Sequence, residues 1–453
     1  MELKGKKVLV AGCGKSGLGA AQLLIEAGAQ PLLFDENPDL DAAALRRDAK
    51  IPEDVPIFLK AVPGEWLARL DLAVVSPGIP VDSPMLAPFF DAGIPVWGEV
   101  ELAYCCEKGS VAAITGTNGK TTTTALTGEI MRRHFSRVFV VGNIGTAYTA
   151  KALSTEADSV TVAEISSFQL ETIHSFHPKV SAILNITPDH LNRHHTMDQY
   201  AAAKESIAKN QTEEDFCVLN YDDPRLREFA GRCPARVIWF SSRSVPGEGF
   251  FLDGSRICRI AGGKREELLD TGEMRLLGVH NYENAMAAMA IASAFGVPME
   301  EIVEAVKAFR AVEHRIEFVA EKKGVVYYND SKGTNPDAAI RGISAMRWPT
   351  ILIGGGYDKG SEYDEWIEAF GGKVKLLVLI GQTREKIAEC ARRHGMNDVV
   401  LADSFREALE ICTKNAVPGD AVLLSPACAS WGMFPNYEVR GQMFKDYVNR
   451  LEE

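Results

Sequence analysis

The chain has 453 residues, of which 46% are hydrophobic and 24% are charged, and its formal net charge is −12. This length predicts about two to four domains, each with a buried core of its own. The acidic balance argues against a general nucleic-acid-binding protein, because such proteins carry basic surface patches.

The cysteines and the apolar segments of the sequence indicate the cellular compartment of the protein. Nine cysteines are scattered without metal-ligand spacing, which predicts reduced thiols. The first residues lead directly into a candidate strand, Val8–Ala11, rather than into the apolar core of a signal peptide. The weakly polar run Ala285–Val297 is too short to span a membrane. We therefore expect a cytoplasmic monomer without a membrane or nucleic-acid partner.

Strand and helix signals alternate in the first block of the chain. The candidate strands are Lys7–Ala11, Pro31–Phe34 and Leu72–Val75, with a helical pattern through Ala27 and an end to the block near Val96–Glu99. This alternation predicts a doubly wound α/β unit with ligand loops at the carboxyl ends of its strands.

A glycine loop follows the first candidate strand. Gly12-Cys-Gly-Lys-Ser-Gly17 matches the dinucleotide fingerprint, and Asp35 ends the second strand where a ribose-binding carboxylate is expected. Read alone, the loop favours NAD. Because its chemistry is a close backbone approach to a diphosphate, the loop could also bind a UDP-sugar, and a structural turn is a third interpretation. The loop leaves these three open.

The second block begins with a shortened phosphate loop. The apolar run Val111–Ile114 is followed by Thr-Gly-Thr-Asn-Gly-Lys-Thr-Thr-Thr, and Ile114 stands where the usual pattern has its first glycine. A strand that turns through glycines into a helix directs backbone N–H groups at a phosphate. Lys120 would reach the outer phosphates and Thr121 would bind Mg²⁺. The alternative is a glycine turn with an exposed lysine.

Later strands of this block carry further polar residues. The candidate elements are strands at Val138–Val141, Ser159–Ile165, Val180–Ile186 and Phe216–Asn220, an antiparallel excursion at Ser242–Gly278 and a helix at Asn281–Phe295. Glu164 ends one strand and could coordinate Mg²⁺ near the phosphates, or be a solvated acid. His190, beside Asp189, could be a ligand at a second metal site, or a structural histidine.

Two histidines and a lysine after His190 carry weaker signals. His194 and His195 lie in a polar loop and are predicted to be surface residues. Lys204 lies on a predicted helix, Asp198–Asn210, among small residues, and spacing alone favours an exposed side chain.

The third block starts around Val312 and again alternates strands with helices. Its candidate strands are Val325–Tyr328, Thr350–Ile353, Leu376–Ile380 and Ala421–Leu424. The chain has no internal repeat, low-complexity tract or coiled coil.

Ordered motifs connect these blocks to a known family. They are GTNGKTTT, EISSFQLE, NITPDHLNRH with a lysine on the next helix, GVHNYENAMAA, EHR, NDSKGTNPDA, GGGYDKG and SPACASW. Over essentially its whole length the chain resembles the Mur ligases, ATP-dependent amide-forming enzymes of peptidoglycan precursor synthesis. It is most similar to the members that add D-glutamate to UDP-N-acetylmuramoyl-L-alanine.

The resemblance implies an α/β protein of three domains. Residues 1–98 would form a Rossmann-like domain for the UDP-substrate, and residues 99–311 a central phosphate-loop ATPase-type domain with a mostly parallel sheet. Residues 312–453 would form a Rossmann-like domain for the amino acid and nucleotide. A UDP-sugar thereby becomes the expected occupant of the first glycine loop.

The same resemblance assigns candidate site residues. ATP would contact Gly116, Thr117, Asn118, Gly119, Lys120, Thr121, Thr122, Asn281, Asn284, Arg315 and Asp330. The UDP-substrate would contact Ser16, Asp35, Ser76, Gly78, Asn143 and Ser166. D-glutamate would contact Thr334, Lys359, Ser430, Trp431 and Tyr437. Two Mg²⁺ ions would be bound by Thr121, Glu164, His190 and Lys204, the last as an N-carboxylated lysine. Catalysis would rest on Lys120, Glu164, His190 and Lys204.

The pocket for D-glutamate departs from some relatives. They have a smaller apolar residue at Trp431 and phenylalanine at Tyr437, so the side-chain walls of the pocket differ from theirs, whereas backbone contacts would survive these changes. The preference for the D-enantiomer comes from the resemblance, since spacing carries no information on chirality.

The implied reaction is amide formation through an acyl phosphate. Three alternatives compete with it. A folylpolyglutamate-type ligase shares the phosphate loop but needs no UDP-binding domain. An NAD-dependent oxidoreductase explains Gly12–Gly17 but neither Lys120 nor Glu164. A non-catalytic nucleotide-binding regulator would not need the metal ligands.

Overall fold

The computed structural model describes residues 2–143, 145–310 and 312–452. These residues form two compact units. The first comprises Met1–Leu269 and Glu283–Val306, and the second comprises Asp270–Tyr282 and Lys307–Glu453. No helix in the described ranges has both the length and the hydrophobicity that a bilayer crossing requires.

The strands belong to three sheets. The first sheet contains β1 (Lys7–Ala11), β2 (Gln30–Asp35), β3 (Ile57–Leu59), β4 (Leu72–Val75) and β5 (Val96–Gly98). The second contains β6 (Ser110–Thr115), β7 (Val138–Gly142), β8 (Val160–Glu164), β9 (Val180–Ile183), β10 (Phe216–Asn220), β11 (Arg236–Ser241), β12 (Gly249–Asp253), β13 (Arg256–Ala261) and β14 (Lys264–Asp270). The third contains β15 (Glu317–Lys322), β16 (Val325–Asn329), β17 (Thr350–Gly356), β18 (Val374–Gly381), β19 (Val399–Leu401) and β20 (Ala421–Leu424).

Helices connect most of the strands. They are α1 (Lys15–Glu26), α2 (Ala42–Ala49), α3 (Gly64–Leu67), α4 (Ala87–Asp91), α5 (Glu99–Tyr104), α6 (Lys120–His134), α7 (Ser167–Leu170), α8 (Leu191–His194), α9 (Met197–Glu205), α10 (Pro224–Ala230), α11 (Val279–Ala294), α12 (Met299–Ala308), α13 (Pro336–Ala345), α14 (Asp364–Glu368), α15 (Arg384–Arg393), α16 (Phe405–Asn415) and α17 (Tyr437–Asn449). Short 3₁₀ helices lie at Tyr148–Ala150, Ala152–Ser154, Ser206–Ala208 and Thr271–Glu273.

The first sheet is parallel, in the order β3-β2-β1-β4-β5. Strands β1 and β4 are almost entirely buried, as expected for apolar runs covered by helices on both faces. The strand order reverses between β1 and β4. A crevice for a ligand therefore forms beside their carboxyl ends, where the glycine loop and Ser76 lie.

The central sheet has the order β14-β13-β12-β11-β10-β9-β6-β8-β7. Strand β6 pairs in parallel with β8 and β9, so the loops after these three strands meet at one edge. The predicted antiparallel excursion holds for β12 and β13. However, β12 pairs in parallel with β11, a strand that the sequence did not predict. Most of strand β11 is only half buried, although it contains the apolar run Val237–Phe240.

The third sheet has the order β15-β16-β20-β17-β18-β19. Strand β20 lies between β16 and β17 and is parallel to both. Strand β15, also absent from the prediction, pairs antiparallel with β16 at the edge and is only half buried. The predicted fold class, α/β with mostly parallel sheets, is confirmed. The boundaries at 98/99 and 311/312 stay predictions.

Candidate functional site

The phosphate loop connects the buried strand β6 to helix α6. Gly116 has φ 152° and Gly119 has φ 87°, values that residues with a side chain rarely adopt. A Cβ atom on Gly119 would lie 2.2 Å from Asn284 Oδ1, so the loop also needs glycine for space. The first N–H groups of α6 have no partner within the helix and suit an anion at this position.

A residue after β9 anchors the loop. Asn185 Oδ1 accepts the Asn118 N–H at 2.8 Å, and its Nδ2 donates to Asn118 O at 3.1 Å. The Asn185 carbonyl accepts the Thr117 N–H at 2.9 Å. The backbone N–H groups of the loop are therefore held in place before any ligand binds. Asn185 was not among the predicted site residues, although its position just beyond a parallel strand end was visible in the sequence.

Two lysines converge on one backbone carbonyl. Lys120 Nζ donates to Gly116 O at 2.8 Å and Lys204 Nζ donates to the same oxygen at 2.9 Å. Lys204 is only 2% exposed, and its ammonium group lies 4.7 Å from the centre of the Tyr200 ring. Burial, with a smaller contribution from the charge of Lys120, lowers the pKa of Lys204 to about 7. The expectation from spacing that this side chain is exposed was therefore wrong.

Oxygen ligands suitable for Mg²⁺ lie at the edge of the central sheet. Glu164 ends β8 beside β6 and is 2% exposed, so it is not a solvated strand-end acid. Its Oε1 accepts the Asn143 side-chain amide at 3.2 Å. Thr121, in the first turn of α6, adds a hydroxyl. A carboxylate and a hydroxyl are ligands that Mg²⁺ prefers, so this set fits the implied ion.

Other predicted residues of the central domain lie close to this edge. Ser166 caps α7, with its hydroxyl accepting the Gln169 N–H at 3.3 Å. The His190 side chain is half exposed, its ring lies 4.8 Å from that of Phe168, and its Nε2 lies 3.4 Å from Asp189 Oδ2. Asn284 approaches the loop, with its Oδ1 accepting the Thr123 hydroxyl at 3.4 Å. The roles of these residues stay predictions.

The predicted surface position of His194 was wrong. The residue is only 5% exposed, and its Nε2 lies 3.0 Å from the Ser167 hydroxyl. Burial lowers its pKa, and Glu171 opposes this effect. A polar sequence context did not reveal that α8 turns this ring inward. His195, in contrast, is exposed as predicted.

Arg193 links the central and N-terminal parts of the first unit. Its guanidinium donates to the carbonyl of Ile79 at 3.0 Å and of Gly78 at 3.4 Å. It also pairs with Glu171 at 2.6 Å, and both side chains of this pair are about nine-tenths buried. The arginine was part of a quoted motif but had no predicted role.

We expect Arg193→Ala to lower the free energy of unfolding by about 3 kcal/mol, because the Glu171 charge would stay buried without this partner. The double variant Arg193→Met/Glu171→Gln should recover most of the loss. Arg132→Ala breaks an exposed pair with Glu129 and should change little. Chemical denaturation of the three variants checks this. Equal losses for Arg193→Ala and the double variant would contradict it.

The glycine loop of the first sheet is closely packed. A Cβ on Gly17 would lie 1.7 Å from Gly12 O, so this glycine permits contact between α1 and the loop. Asp35 Oδ2 accepts the Cys13 N–H at 2.8 Å, and the Ser76 hydroxyl donates to Gly12 O at 3.2 Å. Asp35 and Ser76 are thus brought to the same loop. Ser16 lies in the first turn of α1, and Gly78 follows β4.

In the second unit, three loops lie at neighbouring strand ends. Thr334 follows β16, Lys359 follows β17 and Ser430 follows β20. Lys359 Nζ lies 4.6 Å above the Trp431 ring, which is 53% exposed and packs edge-on against Tyr357. These loops form one edge with a cation and an aromatic wall, which suits a small carboxylate ligand.

A buried arginine connects two of these loops. Arg440 is fully buried and donates to Ser331 O at 2.8 Å and to Cys428 O at 3.3 Å. Two further predicted residues belong to this unit. Tyr437 begins α17, and burial raises its pKa to about 12. The Asn281 amide donates to Leu277 O at 2.7 Å. Arg440 was missed, because an arginine in a helix is most often exposed.

Asp330 follows β16 and is buried. Its Oδ2 accepts the Ser425 hydroxyl at 2.7 Å and its Oδ1 accepts the Ile316 N–H at 3.3 Å. Burial raises the pKa of this carboxyl to about 7, while Ser425 and the positive charge of Arg315 oppose the shift.

The raised pKa predicts a pH-dependent stability. The folded state holds the Asp330 proton more tightly than the unfolded chain, so this group reduces stability as the pH rises from 3.8 to about 7. The free energy of unfolding should fall between pH 5 and pH 8, and Asp330→Asn should make this fall smaller by roughly 1 kcal/mol or more. The melting temperatures at the two pH values should show the same difference. The exposed Asp398→Asn is the matched control. An unchanged pH dependence in Asp330→Asn would contradict this.

Family comparisons cover all three blocks. Residues 6–98 match the Mur ligase MurD-like N-terminal domain, residues 114–292 the Mur ligase middle domain, and residues 314–428 the Mur ligase glutamate ligase domain. Proteins named UDP-N-acetylmuramoylalanine--D-glutamate ligase are similar over the whole of both chains. Those from Lachnospira eligens and Lachnoclostridium phytofermentans are 57% and 55% identical to this chain.

Solved structures share the fold at low identity. UDP-N-acetylmuramate-alanine ligase MurC from Thermotoga maritima is 18% identical, with a TM-score of 0.59 over 98% of this chain and 99% of its own. MurF ligase from the same organism, solved in complex with ADP, has a TM-score of 0.56 at 18% identity over 99% of this chain and 96% of its own. With relatives this similar over its full length, the chain belongs to the Mur ligase family, among the UDP-N-acetylmuramoylalanine--D-glutamate ligases.

Proposed function

We propose that this protein joins D-glutamate to the L-alanine carboxylate of UDP-N-acetylmuramoyl-L-alanine. As a Mur ligase it is an ATP-dependent ligase. The observation that carries the proposal is the convergence of Lys120 and Lys204 on Gly116 O, beside a preorganised phosphate loop. The Lys120 ammonium at that point would offset the charge that gathers on a transferred phosphoryl group, and Lys204, once N-carboxylated, would act as a metal ligand beside it.

The first glycine loop would hold the UDP part of the substrate. Membership of the Mur ligase family removes the oxidoreductase alternative, and Asp35 and Ser76 lie at this loop. A folylpolyglutamate-type ligase would not need a UDP-binding N-terminal domain, so this alternative is not favoured. A cytoplasmic, monomeric protein without a membrane or nucleic-acid partner is part of the proposal.

The metal ligands are proposed in two groups. Thr121 and Glu164 would hold the Mg²⁺ that accompanies ATP, and His190 with N-carboxylated Lys204 would hold a second ion. Carbamate formation requires a neutral amine, and the burial of Lys204, which lowers its pKa to about 7, favours the neutral form. When bound, the ions would neutralise part of the negative charge of the ATP phosphates.

The reaction follows from these positions. The substrate carboxylate would attack the γ-phosphorus of ATP in line, the bond to ADP would break, and an acyl phosphate would form. The D-glutamate amine would then attack the acyl carbon, lose a proton and expel phosphate. Lys359 would pair with a carboxylate of D-glutamate, within a pocket formed with Thr334, Ser430, Trp431 and Tyr437.

The proposal is tested by phosphate release from ATP with Mg²⁺ and UDP-N-acetylmuramoyl-L-alanine. D-glutamate should stimulate release strongly, whereas L-glutamate, L-lysine and diaminopimelate should not. Release that is absent, or equal with all four amino acids, would refute the proposed substrate.

A further inference from the structure

A second cluster of ligand-type side chains lies on two packed helices of the second unit. One ligand atom from each of Asp364, Cys390 and His394 lies within 4.8 Å of the other two. Cys390 and His394 are four residues apart, on α15 and its C-terminal cap, so their side chains share one face. Asp364 is the first residue of α14, which packs against α15.

The contacts within this cluster converge on one carboxylate. His394 Nε2 lies 2.9 Å from Asp364 Oδ1, and the Cys390 thiol also hydrogen-bonds to Asp364. The other ring nitrogen, His394 Nδ1, lies 3.7 Å from Glu368 Oε1. Cys390 is 2% exposed, whereas Asp364 and His394 reach the surface. The thiol of the cluster is therefore buried, whereas its carboxylate and imidazole are accessible to solvent.

We propose that Asp364, Cys390 and His394 form a binding site for a divalent transition-metal ion of the Zn²⁺ class. Sulfur, nitrogen and oxygen ligands in this number suit Zn²⁺, with bonds of about 2.0–2.3 Å and a fourth position for water. An acidic residue facing the second nitrogen of a ligating imidazole is a recurrent feature of zinc sites, and Glu368 occupies that position. The bound ion would join α14 to α15.

The proton balance of binding is simple. The ion replaces the thiol proton of Cys390, which leaves to solvent, and the thiolate becomes a ligand. The imidazole keeps one proton on Nδ1, the nitrogen that faces Glu368, and Nε2 becomes free to bind the ion. Arg393 lies 3.5 Å from Asp364, but its side chain is 61% exposed and can turn away into solvent.

Co²⁺ is the probe, because thiolate ligation gives it a distinct absorption. Added to the chelator-treated full-length protein, one equivalent of Co²⁺ should produce a thiolate-to-metal charge-transfer band and visible bands of four-coordinate Co²⁺, and Zn²⁺ should abolish both. Cys390→Ser should lose the charge-transfer band. His394→Gln, at an accessible position, should weaken Co²⁺ binding at least about tenfold.

The matched control is Cys106→Ser, which removes a partly buried thiol from the first unit and should retain the full spectrum. The proposal is wrong if no thiolate band forms in the parent protein, if the band persists in Cys390→Ser, or if His394→Gln binds Co²⁺ as tightly as the parent. The titration uses neither ATP nor substrate, so its outcome is independent of the proposed ligase function.

Discussion

Replacing Lys204 with alanine should reduce ligase turnover by about 10²- to 10³-fold, the usual cost of removing one preorganised group that stabilises the transition state. The loop should survive the change, because Lys120 still donates to Gly116 O at 2.8 Å. Turnover and melting temperature are both measured, so that a folding defect is recognised.

Small carboxylates distinguish a carbamate ligand from a simple cation. Acetate or formate should partly restore Lys204→Ala, because either can occupy the position of the carbamate. Lys204→Arg keeps the charge but cannot form a carbamate, and should stay inactive with or without acetate. The exposed Lys151→Ala is the control and should behave as the parent. Lys204→Ala turnover within a few fold of the parent would remove this residue from the site.

Replacing Gly119 with alanine should lower kcat/KM for ATP on the order of 10²-fold. Its φ of 87° costs about 1–2 kcal/mol for a residue with a side chain, and the added Cβ would lie 2.2 Å from Asn284 Oδ1. The loop or Asn284 must move, so the N–H groups that face the phosphates would be displaced. Each 1.4 kcal/mol lost in the transition state is about tenfold in rate.

A second glycine with positive φ serves as a control that separates the effect of backbone strain from the effect of a change in the phosphate loop. Gly263 has φ 72° but nothing within 4 Å of a Cβ, so Gly263→Ala carries similar strain without a clash. It should be slightly less stable yet fully active. Steady-state kinetics with varied ATP compares the two variants. Equal kcat/KM for Gly119→Ala and the parent would contradict the assignment of this loop to ATP.

The local sequence pattern was sufficient to predict the positions of residues at the ends of buried strands. The phosphate loop, Glu164 and Asp35 each follow a buried parallel strand, and the apolar run before each residue was visible in the sequence. Because parallel strands present their carboxyl ends at one edge, the order of elements also predicted that these residues lie together at that edge. Strand β15 escaped prediction because it is only half buried and has no apolar run, whereas β11 was missed although Val237–Phe240 is a visible apolar run.

Long-range contacts account for what the sequence did not reveal. Lys204 and Tyr200 are one helical turn apart, yet only the tertiary fold turns both inward towards Gly116 and Thr117. Asn185 and Arg440 act through backbone groups that are distant in the chain. A polar side chain buried by such partners has the same local sequence signature as one on the surface.

The transfer of oxygen from substrate to phosphate tests the central claim most directly. UDP-N-acetylmuramoyl-L-alanine labelled with ¹⁸O in its alanine carboxylate is incubated with ATP, Mg²⁺ and D-glutamate, and the released phosphate is analysed by mass spectrometry. An acyl phosphate intermediate predicts one ¹⁸O atom in each phosphate released. Unlabelled phosphate, with both labels retained in the muramoyl compound, would contradict activation of the carboxylate at this phosphate loop.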